Sequence, residues 1–158
     1  LGLGKGADDI MQQKPRKADE PILNTSMWFS ISIFGLCITA SVLGVTIYAY
    51  YILRLDSETI NNMAFYTIIF AQLLNVFNMP KVKSSLFKNE VTLNKWIWLA
   101  LLFCILITLL VYFIPPMAKA LSLVRLSWIQ LKIVLIFGMA SLIIAQTVKR
   151  IWRIDYEK

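Results

Sequence analysis

The run "INNMAFYTIIFAQLLNVFNM" (residues 60–79) carries no charged side chain over twenty positions. That is about the length a helix needs to cross a hydrocarbon core of roughly 30 Å. Three primary amides, Gln72, Asn75 and Asn78, nevertheless punctuate its second half at a spacing of three. Three further runs have the same character. Residues 27–53 ("MWFSISIFGLCITASVLGVTIYAYYIL") and 96–114 are uncharged, and residues 128–148 hold a single charge, Lys132. Lipid offers no partner to unpaired backbone groups, and none of the runs alternates as a barrel strand does, so each reads as a helix. The expected fold is all-α: a polytopic membrane bundle of four antiparallel transmembrane helices.

Composition agrees. The chain is 58% hydrophobic and 16% charged, with mean hydropathy +0.67 and pI near 9.5. A net charge of +7 would suit nucleic acid, but its distribution points to a membrane instead. Lys5, Lys14, Arg16 and Lys17 precede the first run, and Lys81, Lys83, Lys88 and Lys95 separate the second from the third. Lys149, Arg150, Arg153 and Lys158 follow the fourth, whereas the other two connectors hold only Arg54, Lys119 and Arg125. The positive-inside rule then places both termini and the middle loop in the cytoplasm. The expected order is a cytoplasmic loop (1–26), a helix (27–53), an extracytoplasmic turn (54–59), a helix (60–79) and a cytoplasmic loop (80–95). A helix (96–114), an extracytoplasmic loop (115–127), a helix (128–148) and a cytoplasmic tail (149–158) complete it.

Local signals refine this picture. Asn24, Thr25 and Ser26 are candidate caps for the first helix and Ser127 for the fourth, while Pro115 and Pro116 stop the third. The segment 80–95 has room for a short amphipathic piece at the membrane surface. Two small-residue sets, Gly35, Ala40 and Gly44 in the first helix and Gly138, Ser141 and Ala145 in the fourth, would let backbones approach closely. Cys37 and Cys104 read as small buried hydrophobes. With no histidine in the chain, the usual haem and zinc ligands are missing.

Gln72, Asn75 and Asn78 fall within a stripe about 120° wide on a helix. An amide carbonyl is a good hard-cation ligand, and an amide also bonds across helices. From the residues alone interhelical bonding is the favoured reading; Gln146 and Thr147 admit the same pair. Lys132, about one turn inside its helix, can snorkel to the interface. No carboxylate lies within the four runs and no nucleotide-binding motif is present, so this chain alone is a poor transporter.

The opening segment "LGLGKGADDIMQQKPRKADEPIL" (1–23), "FAQLLNVFN" (70–78), "NEVTLNKWIW" (89–98) and "YFIPP" (112–116) resemble type II P-type cation-transporting ATPases, the calcium-pump group. The chain is similar to their cytoplasmic loop after membrane helix six followed by helices seven to ten, and "SWIQLKIVLIFGMASLIIAQTVKR" (127–150) resembles helix ten. Reticulum-type calcium pumps place an ion-binding Glu where this chain has Gln72, and plasma-membrane-type pumps carry Gln there. The resemblance thus implies that Gln72, with Asn75 next, lines or borders an ion site, with Asn78 and Gln146 weaker candidates. It implies that Lys14, Pro15 and Arg16 contact a phosphorylation domain lying upstream of Leu1. The phosphorylated Asp and the nucleotide domain would lie upstream too, so this chain alone should be inactive and bind no cofactor, ATP and Mg2+ belonging to the parent pump. The expected partners are the lipid bilayer, the remaining helices and cytoplasmic domains of the same pump and the transported cation, with no nucleic acid. The expected location is a bacterial cytoplasmic membrane. The rival reading is a stand-alone four-helix membrane scaffold or subunit.

Overall fold

The computed structural model describes residues 25–78 and 91–151, all helix, turn or irregular chain. Five α-helices follow in order: α1 (Thr25–Tyr51), α2 (Ser57–Asn75), α3 (Lys95–Phe113), α4 (Pro115–Ala120) and α5 (Trp128–Ile151). A 3-10 turn, Val76–Asn78, prolongs α2.

Side-chain chemistry sets the helix starts. The carboxylate of Asp56 accepts from the Thr59 amide at 2.9 Å and from the Thr59 hydroxyl at 2.8 Å, so α2 begins three residues before the apolar run. Asn94 accepts from the amide of Trp96 at 3.0 Å and caps α3. Ser127 and Gln130 form a reciprocal capping box on α5: the Gln130 amide donates to Ser127 Oγ at 3.3 Å and the Ser127 amide to Gln130 Oε1 at 2.6 Å, satisfying two orphan donors at once. Pro115 and Pro116 end α3, as expected, but they also start α4, because a fixed φ and a missing N–H suit the first helical turn.

The bond from the Thr59 amide, then that from its hydroxyl, holds the Asp56 carboxyl below its usual range. A lowered folded-state value means that this cap stabilises above the unfolded carboxylate range, near pH 4, and is lost as pH falls through the folded value. The expected result is that Asp56→Ala speeds hydrogen exchange at the Thr59 amide at neutral pH. The ratio of variant to wild-type rates should then shrink towards one on acidification.

Among the described residues three helices are long and apolar enough to cross a membrane: Trp28–Tyr51, Ser57–Asn78 including the 3-10 turn, and Trp128–Ile151. α1, α2 and α5 pack on one another. α1 and α2 are antiparallel across the short link 52–56, and α2 and α5 run parallel. Asn62 near the start of α2 bonds to the segment just before α5, and Asn78 beyond the end of α2 meets Lys149 near the end of α5.

The inward stripes follow helical spacing: Ser41, Val45 and Ala49 on α1; Ile60, Met63, Thr67 and Ala71 on α2; Val134, Gly138, Ser141 and Ala145 on α5. Small side chains dominate because apolar bulk gains little by leaving lipid, and close backbone approach supplies the attraction. Phe70 of α2 lies over Gly138, where an added Cβ would fall 2.5 Å from its Cδ1. Phe137 of α5 likewise lies over Gly44 of α1, at 2.8 Å from its Cε1. The Ser41 hydroxyl also donates to the carbonyl of Phe137. The small set of α5 is therefore a packing face, as is Gly44. Gly35 and Ala40 are instead exposed, because six residues and one residue before Ser41 they lie about 120° and about 100° around the helix from it.

The expected bundle of four is realised as a packed group of three. α3 is 19 residues long and makes its main helix contacts with α4; its Trp98 meets the 3-10 turn after α2, the ring lying 5.5 Å from that of Phe77. α3 contains no glycine and no amide, so it offers neither a notch for a neighbouring backbone nor an amide to bond across helices, and its Thr108 hydroxyl bonds back to the Cys104 carbonyl of its own helix. Cys104 on α3 is consequently exposed and not a core residue, while Cys37 is half-buried; both are free thiols.

Candidate functional site

The amides of the series Gln72, Asn75 and Asn78 do not share one environment. Ala71 and Asn78 lie on the inward stripe, Asn75 is half-buried beside it, and Gln72 is exposed. Gln72 continues the outward row Asn61, Phe65 and Ile68, all exposed, at steps of four, three and four residues. A spacing of three drifts about 60° per step on an α-helix, enough to carry the series from the outer face to the inner one. The helix then tightens after Asn75, and 3-10 geometry stacks residues three apart. Asn78 Nδ2 accordingly donates to Asn75 Oδ1 at 2.9 Å.

At this end α2 and α5 are tied by side chain to backbone. Gln146 Nε2 donates to the carbonyl of Phe77 at 3.3 Å, and Lys149 Nζ donates to the carbonyl of Asn78 at 2.7 Å. Both carbonyls belong to the last turn, where the helix provides no partner. Asn78 is only 3% exposed and Lys149 only 5%. Asn78 Oδ1 is buried and has no hydrogen-bond partner among the described residues. Thr147, by contrast, is exposed and bonds back to the Ile143 carbonyl at 2.8 Å, and Lys132 is exposed.

A second tie joins the opposite ends of the same helices. Asn62, 4% exposed, donates through Nδ2 to the carbonyls of Glu58 and Ser122, both at 2.9 Å. Its Oδ1 accepts from the Val124 amide at 3.2 Å. Ser122 itself has φ 51°, a left-handed conformation that is uncommon outside glycine, and it delivers its carbonyl to this amide.

Lys149 and Asn62 were the two residues that sequence reasoning passed over. Lys149 stands one position beyond the apolar run, but it continues the α5 stripe four residues after Ala145, and that periodicity marks it as inward. Asn62 sits two positions into its run, where no spacing rule separates it from the exposed Asn61. Lys14, Pro15 and Arg16 lie outside the described residues. Among the described residues no cluster of three or more carboxylate, thiol or imidazole groups occurs; the oxygens described where α2 meets the end of α5 include the side-chain oxygens of Asn75 and Asn78 and the carbonyls of Phe77 and Asn78.

Comparison with known proteins places this arrangement. The family model described as "Cation transporting ATPase, C-terminus" matches residues 1–151. The chain is 26% identical to calcium-transporting ATPase 1 of Bacillus cereus (strain ATCC 10987 / NRS 248) over 163 residues, covering 94% of this chain and 18% of that protein. It is 21% identical to a probable calcium-transporting ATPase of Trypanosoma brucei brucei over 149 residues, 80% of this chain and 15% of that protein. With the calcium-transporting ATPase of Bacillus subtilis (strain 168) it shares 26% identity over 117 residues, 74% of this chain and 13% of that protein. The chain therefore spans less than a fifth of these relatives' length. Long apolar helices packed through small residues, together with a family match over nearly the whole sequence, make this chain a member of the family of cation-transporting ATPase C-terminal regions, an integral membrane unit.

Proposed function

We propose that this chain is the C-terminal membrane support domain of an ATP-driven P-type cation pump, with calcium the expected cargo. The family match over residues 1–151 carries this reading, and the calcium-transporting names of the relatives supply the ion. In it, α3 is the fourth membrane crossing; at 19 residues it is about 28 Å long. Both termini are cytoplasmic, in keeping with the distribution of basic residues, and the membrane is the bacterial cytoplasmic one, as bacterial relatives suggest. Phosphoryl transfer, ATP and Mg2+ belong to the remainder of the parent pump, and Lys14, Pro15 and Arg16 contact its phosphorylation domain.

Gln72 is the ion ligand that this domain contributes, with Asn75 next. Its support is its exposure on the outer face of α2, where the remaining membrane helices of the pump would pack. Asn78 and Gln146 act instead as ties between α2 and α5. A neutral amide cannot offset the charge of a second divalent ion, so at most one calcium ion moves per cycle.

ATP-dependent calcium uptake by vesicles containing the full-length protein tests this. Gln72→Ala should raise the half-saturating calcium concentration by about tenfold, the scale on which groups at a metal site act, with little change in protein level. An unchanged value would remove Gln72 from the site. Absence of any ATP-dependent uptake, with a native protein no larger than this chain, would leave the stand-alone scaffold.

A further inference from the structure

We propose that Lys149 is a positioning residue for cation binding: its ammonium holds the end of α2, and through it Gln72 and Asn75, in the register that ion affinity requires. This rests on the reading of Gln72 as an ion ligand.

The terminal carbonyls of α2 are the weak point of a helix in a low-dielectric setting, because each lacks an internal partner and carries the negative end of the helix dipole. α5 meets two of them. The Gln146 contact is long, at 3.3 Å. The Lys149 contact, at 2.7 Å, has the length of a charge-assisted bond, and its donor and acceptor residues are both buried.

A lysine near a helix end ordinarily extends its charged tip into water, as the neighbouring Arg150 is exposed to do. Lys149 instead keeps its ammonium against a backbone carbonyl, an arrangement that costs desolvation and is kept only where the bonds made there compensate. Asn78 Oδ1 is already an unmet buried acceptor among the described residues. Loss of the ammonium would leave the Asn78 carbonyl in the same state, and shifting the end of α2 is the simplest way to relieve both.

Such a shift reaches the ion ligands directly. Asn75 accepts from the Asn78 side chain, and Gln72 lies six residues before Asn78, less than two turns. A slip of one residue moves a helix about 1.5 Å along its axis and turns it about 100°. Even a fraction of that rotation, confined to the turns that follow the contact of Phe70 with Gly138, takes the Gln72 amide off any site it faces.

The test compares Lys149→Met, Lys149→Gln and Lys149→Arg with Gln72→Ala in the full-length protein, using ATP-dependent uptake of radioactive calcium normalised to phosphoenzyme. Lys149→Met should raise the half-saturating calcium concentration by about two- to thirtyfold while maximal uptake per phosphoenzyme is retained. Lys149→Arg, which keeps charge and donor, should restore the wild-type value, and Lys149→Gln should fall between. If Lys149→Met does not accumulate, Lys149→Gln carries the comparison. A fall in protein level or maximal uptake with unchanged half-saturation would make Lys149 merely structural and overturn the proposal. If Gln72→Ala shifts half-saturation and no Lys149 variant does, positioning fails and the ligand reading stands. If Gln72→Ala is without effect, the ligand reading fails, and the route from Lys149 to Gln72 fails with it.

Discussion

Gly138→Val is expected to destabilise the bundle by about 1–3 kcal/mol, the usual range for forcing extra carbons into a packed contact. The new Cβ would lie 2.5 Å from Cδ1 of Phe70 and 3.3 Å from its Cε1, so the ring must move bodily. An aromatic ring has no slender end to bend aside, and Gly138 is buried on the inward stripe of α5. The displacement would propagate, because Phe137, the preceding residue, occupies the Gly44 notch of α1. Reversible unfolding in mixed detergent micelles would measure the loss. Gly35→Val serves as the control, since a Cβ there meets nothing within 4 Å, and it should leave the midpoint unchanged. Equal effects of the two would show that the glycine contacts do not hold the helices together.

Asn62→Leu should cost a similar amount by a different route. Leucine preserves the volume but removes both donors and the acceptor, leaving the Ser122 carbonyl and the Val124 amide without this partner. Each buried polar group so orphaned costs about 1–3 kcal/mol, reduced here by whatever water reaches the loop. Asn62→Asp should do at least as much harm: one oxygen can still accept from Val124, but the other would face the Glu58 and Ser122 carbonyls, acceptor against acceptor, in a buried place where a carboxylate is costly. The same unfolding titration would rank the three proteins, and protease sensitivity of the 121–127 segment should rise in the same order. A leucine variant as stable as wild type would mean that the segment is held without Asn62.

Much of this was legible in the sequence because lipid imposes so few options. Uncharged runs of about twenty residues had to be helices, and Gly138, Ser141 and Ala145 announced a face by their spacing. The caps at Ser127 and the stop at Pro115 were likewise local chemistry. What could not be read was partner choice. The α3 run is as apolar as the others, and only the packed arrangement of α1, α2 and α5 reveals that it stands apart. The amide series misled in a similar way. Periodicity grouped Gln72 with Asn78, whereas the position of the stripe, fixed by Ile60, Met63, Thr67 and Ala71, divides them. Lys149 was hidden by its charge, which assigned it to a flank when its register assigned it to the interior.

The ties between α2 and α5 join residues 60 to 71 positions apart in sequence. A ribosome adds about 5–20 residues per second, so α2 emerges roughly 3–14 s before the groups that complete it. During that interval the Asn62 amide and the carbonyls of Phe77 and Asn78 have no α5 to bond. Both sit at the ends of α2 and not at its middle, where headgroup water can serve them until the later helix arrives. The placement of these amides and of the lysine thus reconciles a finished structure closed to water with an assembly order that must begin in its presence.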